Sequence, residues 1–193
     1  MTVIVDGTNG LTFPDVSIQA TSATNATNIS SGTLPSARLP AGTVLQVVQV
    51  VKTDTFSGTA NATEISVTGI SATITPSSSS SKILILAHIM YSSVLTTYGG
   101  YFKRNSTAIG LGAAGSGQQL VSMGMAFVTD GNQTNTFIYS YLDSPATTSS
   151  TTYQFFVNND NNVAIYFNRS STDQANATGK RGISTVTLME IAA

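Results

Sequence analysis

The sequence has 193 residues with no cysteine and no tryptophan, and its 8 basic side chains nearly balance its 9 acidic ones. Without cysteine the chain has neither a disulfide framework nor a thiolate metal site, so packing or association must supply its stability. A net charge of -1 with no block of lysine or arginine argues against nucleic-acid binding, which needs clustered cations. Charged residues make up 9% of the chain against roughly 25% in average soluble proteins, so serine, threonine and asparagine must cover the surface.

The sequence carries no sign of a membrane or export address. Its apolar runs stay well short of the roughly 20 residues that a spanning helix needs. The segment from Met1 to Asp6 lacks the basic start and the apolar stretch of a signal peptide. We therefore expect no membrane insertion and no export through a cleaved leader.

Residues 1–42 are predicted to be an extended segment without a core of its own. The charged residues of this segment are Asp6, Asp15 and Arg38. A turn cluster over 6–10 separates two short apolar stretches, which predicts a small hairpin. The polar stretch that follows has too little hydrophobicity to offset its ordering entropy, so it needs a partner surface or sister chains.

Residues 43–193 show the pattern of an all-β domain. Apolar, β-branched and aromatic residues come in runs separated by glycine, serine, asparagine and proline. No segment combines a 3.6-residue period with helix caps. The predicted architecture is an antiparallel β-sandwich of the jelly-roll kind, preceded by the extended segment. The predicted strands are 44–53, 63–75, 82–93, 98–104, 118–129, 134–142, 151–158, 162–169 and 182–191.

The predicted strand over 82–93 is apolar on both faces. Alternation places one set of side chains together, namely Ile83, Ile85, Ala87 and Ile89. The opposite face carries Leu84, Leu86, His88 and Met90. Because one face of an antiparallel sheet normally meets water, the second apolar face needs a cover. We interpret it as a subunit interface, and burial inside one domain is the alternative.

His88 is the only imidazole in the sequence. We favour a core or interface histidine with a satisfied hydrogen bond. The alternative is that several copies converge on a symmetry axis and bind an anion or a transition metal through their ring nitrogens. We predict no metal site and no cofactor for the chain.

The sequence contains no catalytic constellation, so we predict that the protein is not an enzyme. With one histidine and no Gly-x-Ser-x-Gly elbow, an acyl-transfer triad is not expected. Asp130, Asp143, Asp160 and Asp173 stand in turn contexts, where aspartate serves the backbone, rather than as paired acids. The glycine-rich stretch 110–117 lacks the Lys-Ser/Thr pair of a phosphate loop and is interpreted as a mobile surface loop.

Two tyrosines, Tyr98 and Tyr101, flank a pair of glycines. The favoured interpretation is that both rings are ordinary side chains of the predicted strand over 98–104. Beside a flexible turn, they would instead stack on the sugar rings of a surface glycan. The sequence leaves both interpretations open.

Five segments resemble parts of known virion proteins. The segments 5–15 (VDGTNGLTFPD) and 29–40 (ISSGTLPSARLP) are similar to the N-terminal half of many tailed-bacteriophage fibre proteins, especially those of marine and cyanobacterial phages. The segments 71–84, 141–148 and 184–191 are similar to the C-terminal domain of the same proteins. The long repeats of typical fibres are absent between them, which implies a short fibre or a peg on tail, baseplate or capsid.

The resemblance implies a structural or host-recognition role in the virion, after assembly in the bacterial cytoplasm. It also implies a homotrimer, with the face that contains Leu84 and His88 as the expected trimer interface and the β domain distal. The N-terminal segment is expected to dock to other phage virion proteins. The expected docking residues are Val3, Ile4, Val5, Leu11, Phe13 and Pro14.

Three functions compete on these grounds. The first is a trimeric fibre that binds a host glycan or protein through loops near 94–101, 110–117 and 158–162, with avidity from three sites. The residues expected to face the receptor are Tyr98, Tyr101, Asn159, Asp160 and Asn161. The second is a capsid decoration or baseplate protein without receptor binding. The third and weakest is a glycan depolymerase, which would need paired acids.

Overall fold

The computed structural model describes residues 4–6, 10–12, 18–19, 38–60, 63–94, 96–113, 115–116, 120–159 and 161–193. The chain divides into two compact units, Met1–Arg38 and Leu39–Ala193. The sequence analysis placed a domain boundary nearby, between residues 42 and 43. The two units are described separately below.

The first unit contains a small antiparallel sheet. Strand β1 (Ile4–Asp6) pairs with β2 (Gly10–Thr12), and β2 pairs with β3 (Ile18–Gln19). Asp6 lies opposite Gly10, at the two ends of the predicted turn cluster. The predicted hairpin is therefore confirmed, and a third short strand extends it.

The second unit consists of two antiparallel sheets in its described residues. The five-stranded sheet contains β6 (Thr63–Ile74), β8 (Tyr98–Arg104), β9 (Thr107–Ile109), β10 (Met123–Met125) and β12 (Thr151–Asn159). The six-stranded sheet contains β4 (Val44–Lys52), β5 (Phe56–Thr59), β7 (Lys82–Ser92), β11 (Asn135–Asp143), β13 (Ala164–Phe167) and β14 (Ser184–Ile191). The strand order of the five-stranded sheet is β10-β8-β12-β6, and β9 also pairs with β8. The strand order of the six-stranded sheet is β4-β14-β7-β13-β5, and β11 also pairs with β7.

The two sheets pack face to face through aromatic side chains. The ring centroids of Phe102 and Tyr139 lie 5.0 Å apart, and so do those of Phe137 and Phe155. Phe155 also meets the edge of Phe167 at 6.2 Å. Each of these pairs joins one sheet to the other, so the rings fill the space between them. Aromatic pairs in tilted or edge geometry add to the stability gained by burial alone.

Strand β7 seals this core from one side, as the alternation of its residues predicts. The inward side chains are Ile83, Ile85, Ala87 and Ile89, and none is more than 5% exposed. The chain crosses between sheets from β6 to β7 to β8, and again from β11 to β12 to β13, as in jelly rolls. The described residues form no α-helix. The predicted all-β antiparallel sandwich is confirmed.

Three strands differ from the predicted set. Strands β5 and β9 are additional, because both are short and β9 follows a tight turn in which Asn105 has φ 52°. The strand predicted over 118–129 is shortened to β10. There the carbonyl of Ala126 accepts hydrogen bonds from the Tyr91 hydroxyl and the Asn135 amide instead of a neighbouring strand.

An irregular bulge bends β6 where it pairs with β12. The register passes from Gln154 opposite Ser71 to Phe156 opposite Ser66, which leaves the residues between them outside the regular ladder. The side-chain amide of Gln154 donates to the carbonyl oxygens of Val67 (2.9 Å) and Ile70 (3.1 Å) and satisfies them. Gly69 adopts φ +84° inside this bulge, a backbone conformation that glycine tolerates best.

Glu190 is a fully buried carboxylate in β14. Its Oε2 accepts from the Gln46 amide at 2.6 Å, and its Oε1 accepts from the backbone N–H and the hydroxyl of Ser77, both at 2.7 Å. Burial alone would raise the pKa of Glu190, but these donors hold the pKa below its usual range. The carboxylate therefore ties β14 to β4 and to the turn before β7.

We expect Phe155→Ala to lower the free energy of unfolding by about 3 to 5 kcal/mol, because it leaves a cavity between the two sheets. Phe155 is 0% exposed, whereas Phe127, the control for the same substitution, is 47% exposed. Urea unfolding followed by circular dichroism measures both variants. Equal losses for Phe155→Ala and Phe127→Ala would show that the aromatic core is not what holds the sheets together.

The buried carboxylate also predicts an acid-sensitive fold. Because the pKa of Glu190 is lower in the folded chain, its ionised form stabilises the fold above the unfolded pKa, and this contribution is lost as pH falls through the folded pKa. We expect the free energy of unfolding to decline below pH 4.5, the ordinary value of this group, and to decline less steeply in Glu190→Gln. Asp130→Asn removes an exposed carboxylate and serves as the control. Identical acid profiles for Glu190→Gln and the unmodified chain would contradict the assignment.

Candidate functional site

The outer face of the six-stranded sheet is the first surface of interest. We define it as the side of β4, β14, β7 and β11 that points away from the core. Two rows of cross-strand neighbours run over it: Val47, Met189, Leu84 and Leu142, and then Val51, Thr185, His88 and Ile138. Between them lies a row formed by Gln49, Thr187, Leu86 and Ser140. Two mainly apolar rows thus flank a more polar one.

Several apolar side chains of this outer face lie open to solvent. Ile138 is 60% exposed, Val47 is 55% exposed and Leu142 is 52% exposed. In the three rows, the only ionisable side chain is that of His88. In the polar row, the Gln49 amide donates to the Thr187 hydroxyl at 2.9 Å, so part of its hydrogen-bonding capacity is already used. Contiguous exposed apolar surface of this kind marks sites of protein association.

The predicted interface residues Leu84, Leu86, His88 and Met90 all lie on this outer face. His88 is exposed, and the other three are half-buried by their neighbours within the sheet. Burial of this face inside one domain, the alternative interpretation, does not occur, because Ile138 and Leu142 beside it remain exposed. A core position for His88 is likewise excluded. Within the described ranges, no group of three or more His, Asp or Glu side chains is placed to hold a metal ion.

The second surface of interest is a cleft at one end of the sandwich. It has a volume of about 600 Å³ and lies where β8 begins, β12 ends and β10 passes. Its polar lining comes from Thr97 and three asparagines, Asn158, Asn159 and Asn161. The remaining lining is small or apolar and includes Val121 and Gly124. We call this site the terminal cleft.

A buried threonine hydroxyl organises the asparagines of the terminal cleft. The side-chain amides of Asn159 and Asn161 both donate to the hydroxyl oxygen of Thr96, at 3.0 and 2.8 Å. The backbone N–H of Asn161 also donates to the Asn159 side-chain oxygen at 2.5 Å. Thr96 is 5% exposed and Asn159 is 6% exposed, so this arrangement is fixed by the fold. Thr96 could not be singled out from the sequence, because no local pattern distinguishes it from the other threonines.

The predicted receptor-facing residues divide into two groups. Asn159 and Asn161 meet in the terminal cleft, and Asp160 lies outside the described residues. Tyr98 and Tyr101 lie in β8, within the strand predicted over 98–104, and are 2% and 5% exposed. The Tyr98 hydroxyl donates to the carbonyl of Val163, and burial raises the pKa of this phenol. Both rings therefore pack within the sandwich, and Tyr98 also forms part of the lining of the terminal cleft.

Tyr101 instead belongs to a polar cluster on the outer face of the five-stranded sheet. Its hydroxyl donates to the Glu64 carboxylate, which also pairs with Lys103. Burial raises the pKa of Tyr101, and the neighbouring carboxylate raises it further. The Lys103 ammonium lies 4.6 Å from the ring centroid of Phe156. This face is thus covered by its own paired charges, unlike the outer face of the six-stranded sheet.

The remaining sequence candidates serve structure in the part of the chain described. Asp143 is 4% exposed, accepts two hydrogen bonds of 2.9 Å from Arg104 and accepts a third of 2.7 Å from Tyr153. Asp173 pairs with Arg181 at 2.7 Å. In the glycine-rich stretch, the N–H of Gly112 donates to a backbone carbonyl at 3.1 Å. Within the described ranges, no helix is long and apolar enough to cross a membrane.

Comparison with known proteins finds no matching family model and no matching curated protein. Solved structures of infectious bursal disease virus are distantly similar. The Gt strain structure has 10% identity and a TM-score of 0.39, covering 76% of this chain and 39% of that chain. A mutant VP2 protein of this virus from derived T=1 particles has 11% identity and a TM-score of 0.40, covering 77% and 36%. The Gx strain structure has 12% identity and a TM-score of 0.39, covering 77% and 37%.

This chain spans less than two fifths of the length of each of these structures. With identities of 12% or less and TM-scores of 0.40 or less, the likeness is too distant to assign a function to this chain. The outer face and the terminal cleft are therefore the features that bear on the function of the chain.

Proposed function

We propose that the chain is a structural protein of a tailed-phage virion, a short fibre that assembles as a homotrimer and presents its β-sandwich to the host surface. The observation that carries this proposal is the apolar outer face of the six-stranded sheet. A soluble chain that leaves Ile138, Val47 and Leu142 half exposed or more on one flat surface gains stability by covering them.

Further copies of the same chain are the partner that best suits this outer face. Apart from His88, its three rows carry no ionisable side chain, so like surfaces meet without burying unpaired charge. The central row offers amide and hydroxyl groups, which are both donors and acceptors and so complement copies of themselves. Oligomers of identical chains usually have closed point-group symmetry, and in a trimer the outer faces of the three chains would meet around a three-fold axis.

The first unit supplies the proposed attachment to the particle. Among the predicted docking residues, Ile4, Val5 and Leu11 lie in β1 and β2, while Val3, Phe13 and Pro14 lie outside the described residues. The sheet of this unit is far too small to bury a core, and small isolated sheets are marginally stable in water. Docking on a virion protein would add contacts that stabilise this small sheet.

The second unit supplies the proposed contact with the host. Its terminal cleft is concave and polar and is held in shape by the hydrogen bonds of Thr96. Three copies in one trimer would present three such clefts, which raises avidity for a repeated surface ligand. A decoration or baseplate protein would not bind the host surface. A test of whether the purified chain binds host cells therefore distinguishes this alternative from the proposed fibre.

We expect the purified chain to have a native mass of three times the 20.0 kDa of one chain, measured by light scattering. Val47→Asp should shift this mass toward one chain, because the carboxylate would be buried beside Met189 without a charged partner in its row, while the exposed position spares the fold. Met123→Asp, at an apolar position 47% exposed on the other sheet, is the matched control. A trimer that persists in Val47→Asp would place the interface elsewhere, and a monomeric unmodified chain would contradict the homotrimer.

We expect a chain lacking residues 1–42 to remain trimeric, with a native mass of three truncated chains, but to be absent from phage particles. The reason is that association would reside in the sandwich and attachment in the first unit. Particles grown with the full or truncated chain are purified and probed by immunoblot. Incorporation of the truncated chain at the level of the full chain would contradict the attachment role.

A further inference from the structure

We infer that the terminal cleft is a binding site for a neutral oligosaccharide. The inference deepens the proposed host contact, on which it rests only for the origin of the ligand. The class of ligand follows from the size, charge, hydrogen-bonding groups and apolar floor of the cleft.

The size and charge of the terminal cleft select a small neutral ligand. Its volume of about 600 Å³ lies within the usual range of small-molecule sites. The described residues that line it include no charged side chain. The two cationic side chains of β8 already form ion pairs outside the cleft, because Lys103 pairs with Glu64 and Arg104 pairs with Asp143. An anionic ligand would meet no lysine or arginine among these lining residues, and such groups are what normally hold carboxylates and phosphates.

The amides of the terminal cleft match the hydroxyl groups of a sugar. Each asparagine side chain carries an acceptor oxygen and two donor hydrogens, and each sugar hydroxyl both donates and accepts. Among the described atoms, the side-chain oxygen of Asn158 is buried without a hydrogen-bond partner. The side-chain amide of Asn159 already donates to Thr96 and to the carbonyl of Thr97, so Asn159 holds Thr96 in place. Asn161 is exposed and donates to Thr96 before any ligand arrives, so binding costs little side-chain entropy at Asn161.

The apolar part of the terminal cleft suits the apolar C–H face of a sugar ring. Val121 and Ala126 lie in the same lining and offer an apolar surface for the C–H face of a pyranose. At Gly124, a Cβ atom would meet nothing within 4 Å, so the absence of a side chain keeps this wall of the cleft open. At Gly99, a Cβ atom would collide with Val121 and Asn158, so this glycine lets both residues reach the cleft.

Saturation-transfer difference NMR on the full chain tests the inference with four probes. Three are neutral: maltotriose, mannotriose and chitotriose, each at about 10 mM, a concentration suited to the millimolar affinities of single weak sites. The fourth, 3′-sialyllactose, is anionic. We expect a saturable signal from at least one neutral probe. We do not expect 3′-sialyllactose to be the only probe that gives a signal. Absence of signal from all three neutral probes, or signal from sialyllactose alone, would overturn the inference.

Two variants place the binding in the cleft. Gly124→Trp puts an indole into the open wall and should weaken the affinity for the neutral probe at least tenfold. Met123→Trp puts the same ring one residue away, at an exposed position outside the lining, and should bind as the unmodified chain does. Circular dichroism checks that both variants fold. Equal affinities of the two variants would show that the sugar binds elsewhere and would overturn the assignment to this cleft.

The outcomes separate this inference from the proposed function. A trimer that joins particles but binds none of the neutral probes removes the inference and leaves a structural virion protein. A monomer that binds a neutral probe, with the affinity lost in Gly124→Trp, keeps the cleft as a sugar site and removes the trimeric fibre. The native mass and the NMR titration are measured on the same preparation.

Discussion

Strand β7 must be covered on both faces, and the architecture of the second unit follows from this requirement. Its inward residues, represented by Ile83 and Ile85, are fully buried against the aromatic rings between the sheets. Its outward residues lie between β14 and β11 on a surface that is half exposed. One chain supplies the first cover and leaves the second incomplete. The hydrophobic effect thus gives a physical reason both for the sandwich and for its proposed association.

The two sheets present opposite chemistry to their surroundings. The five-stranded sheet carries paired charges such as Lys103 and Glu64, which keep that face hydrated. The six-stranded sheet carries aliphatic rows that water solvates poorly. The terminal cleft, at the end of the sandwich, differs from both of these faces because it is polar but uncharged. The proposed association and the proposed ligand binding therefore use different surfaces, and a substitution in one surface need not disturb the other.

The sequence predicted what depends on local pattern and missed what depends on distant contacts. The strict alternation over 82–93 was enough to identify β7 and to sort its two faces. The strand over 98–104 was predicted, but the hydrogen-bond partners of Tyr98 and Tyr101 were not, because Val163 and Glu64 are far away in the sequence. The polar cleft was found only in part: the asparagine-rich turn was visible, but Thr96 was not. The bulge in β6 likewise depends on Gln154, a residue of another strand.

The position of β14 has a consequence for how the chain is made. Residues 184–191 lie between β4 and β7 in the finished sheet, although some 130 residues separate β4 from β14 along the chain. A nascent chain on the ribosome therefore holds β4 and β7 without the strand that joins them, and its aliphatic rows stay unpaired until translation reaches Ile191. The six-stranded sheet can therefore close only after β14 has been synthesised, because β14 is the strand that joins β4 to β7.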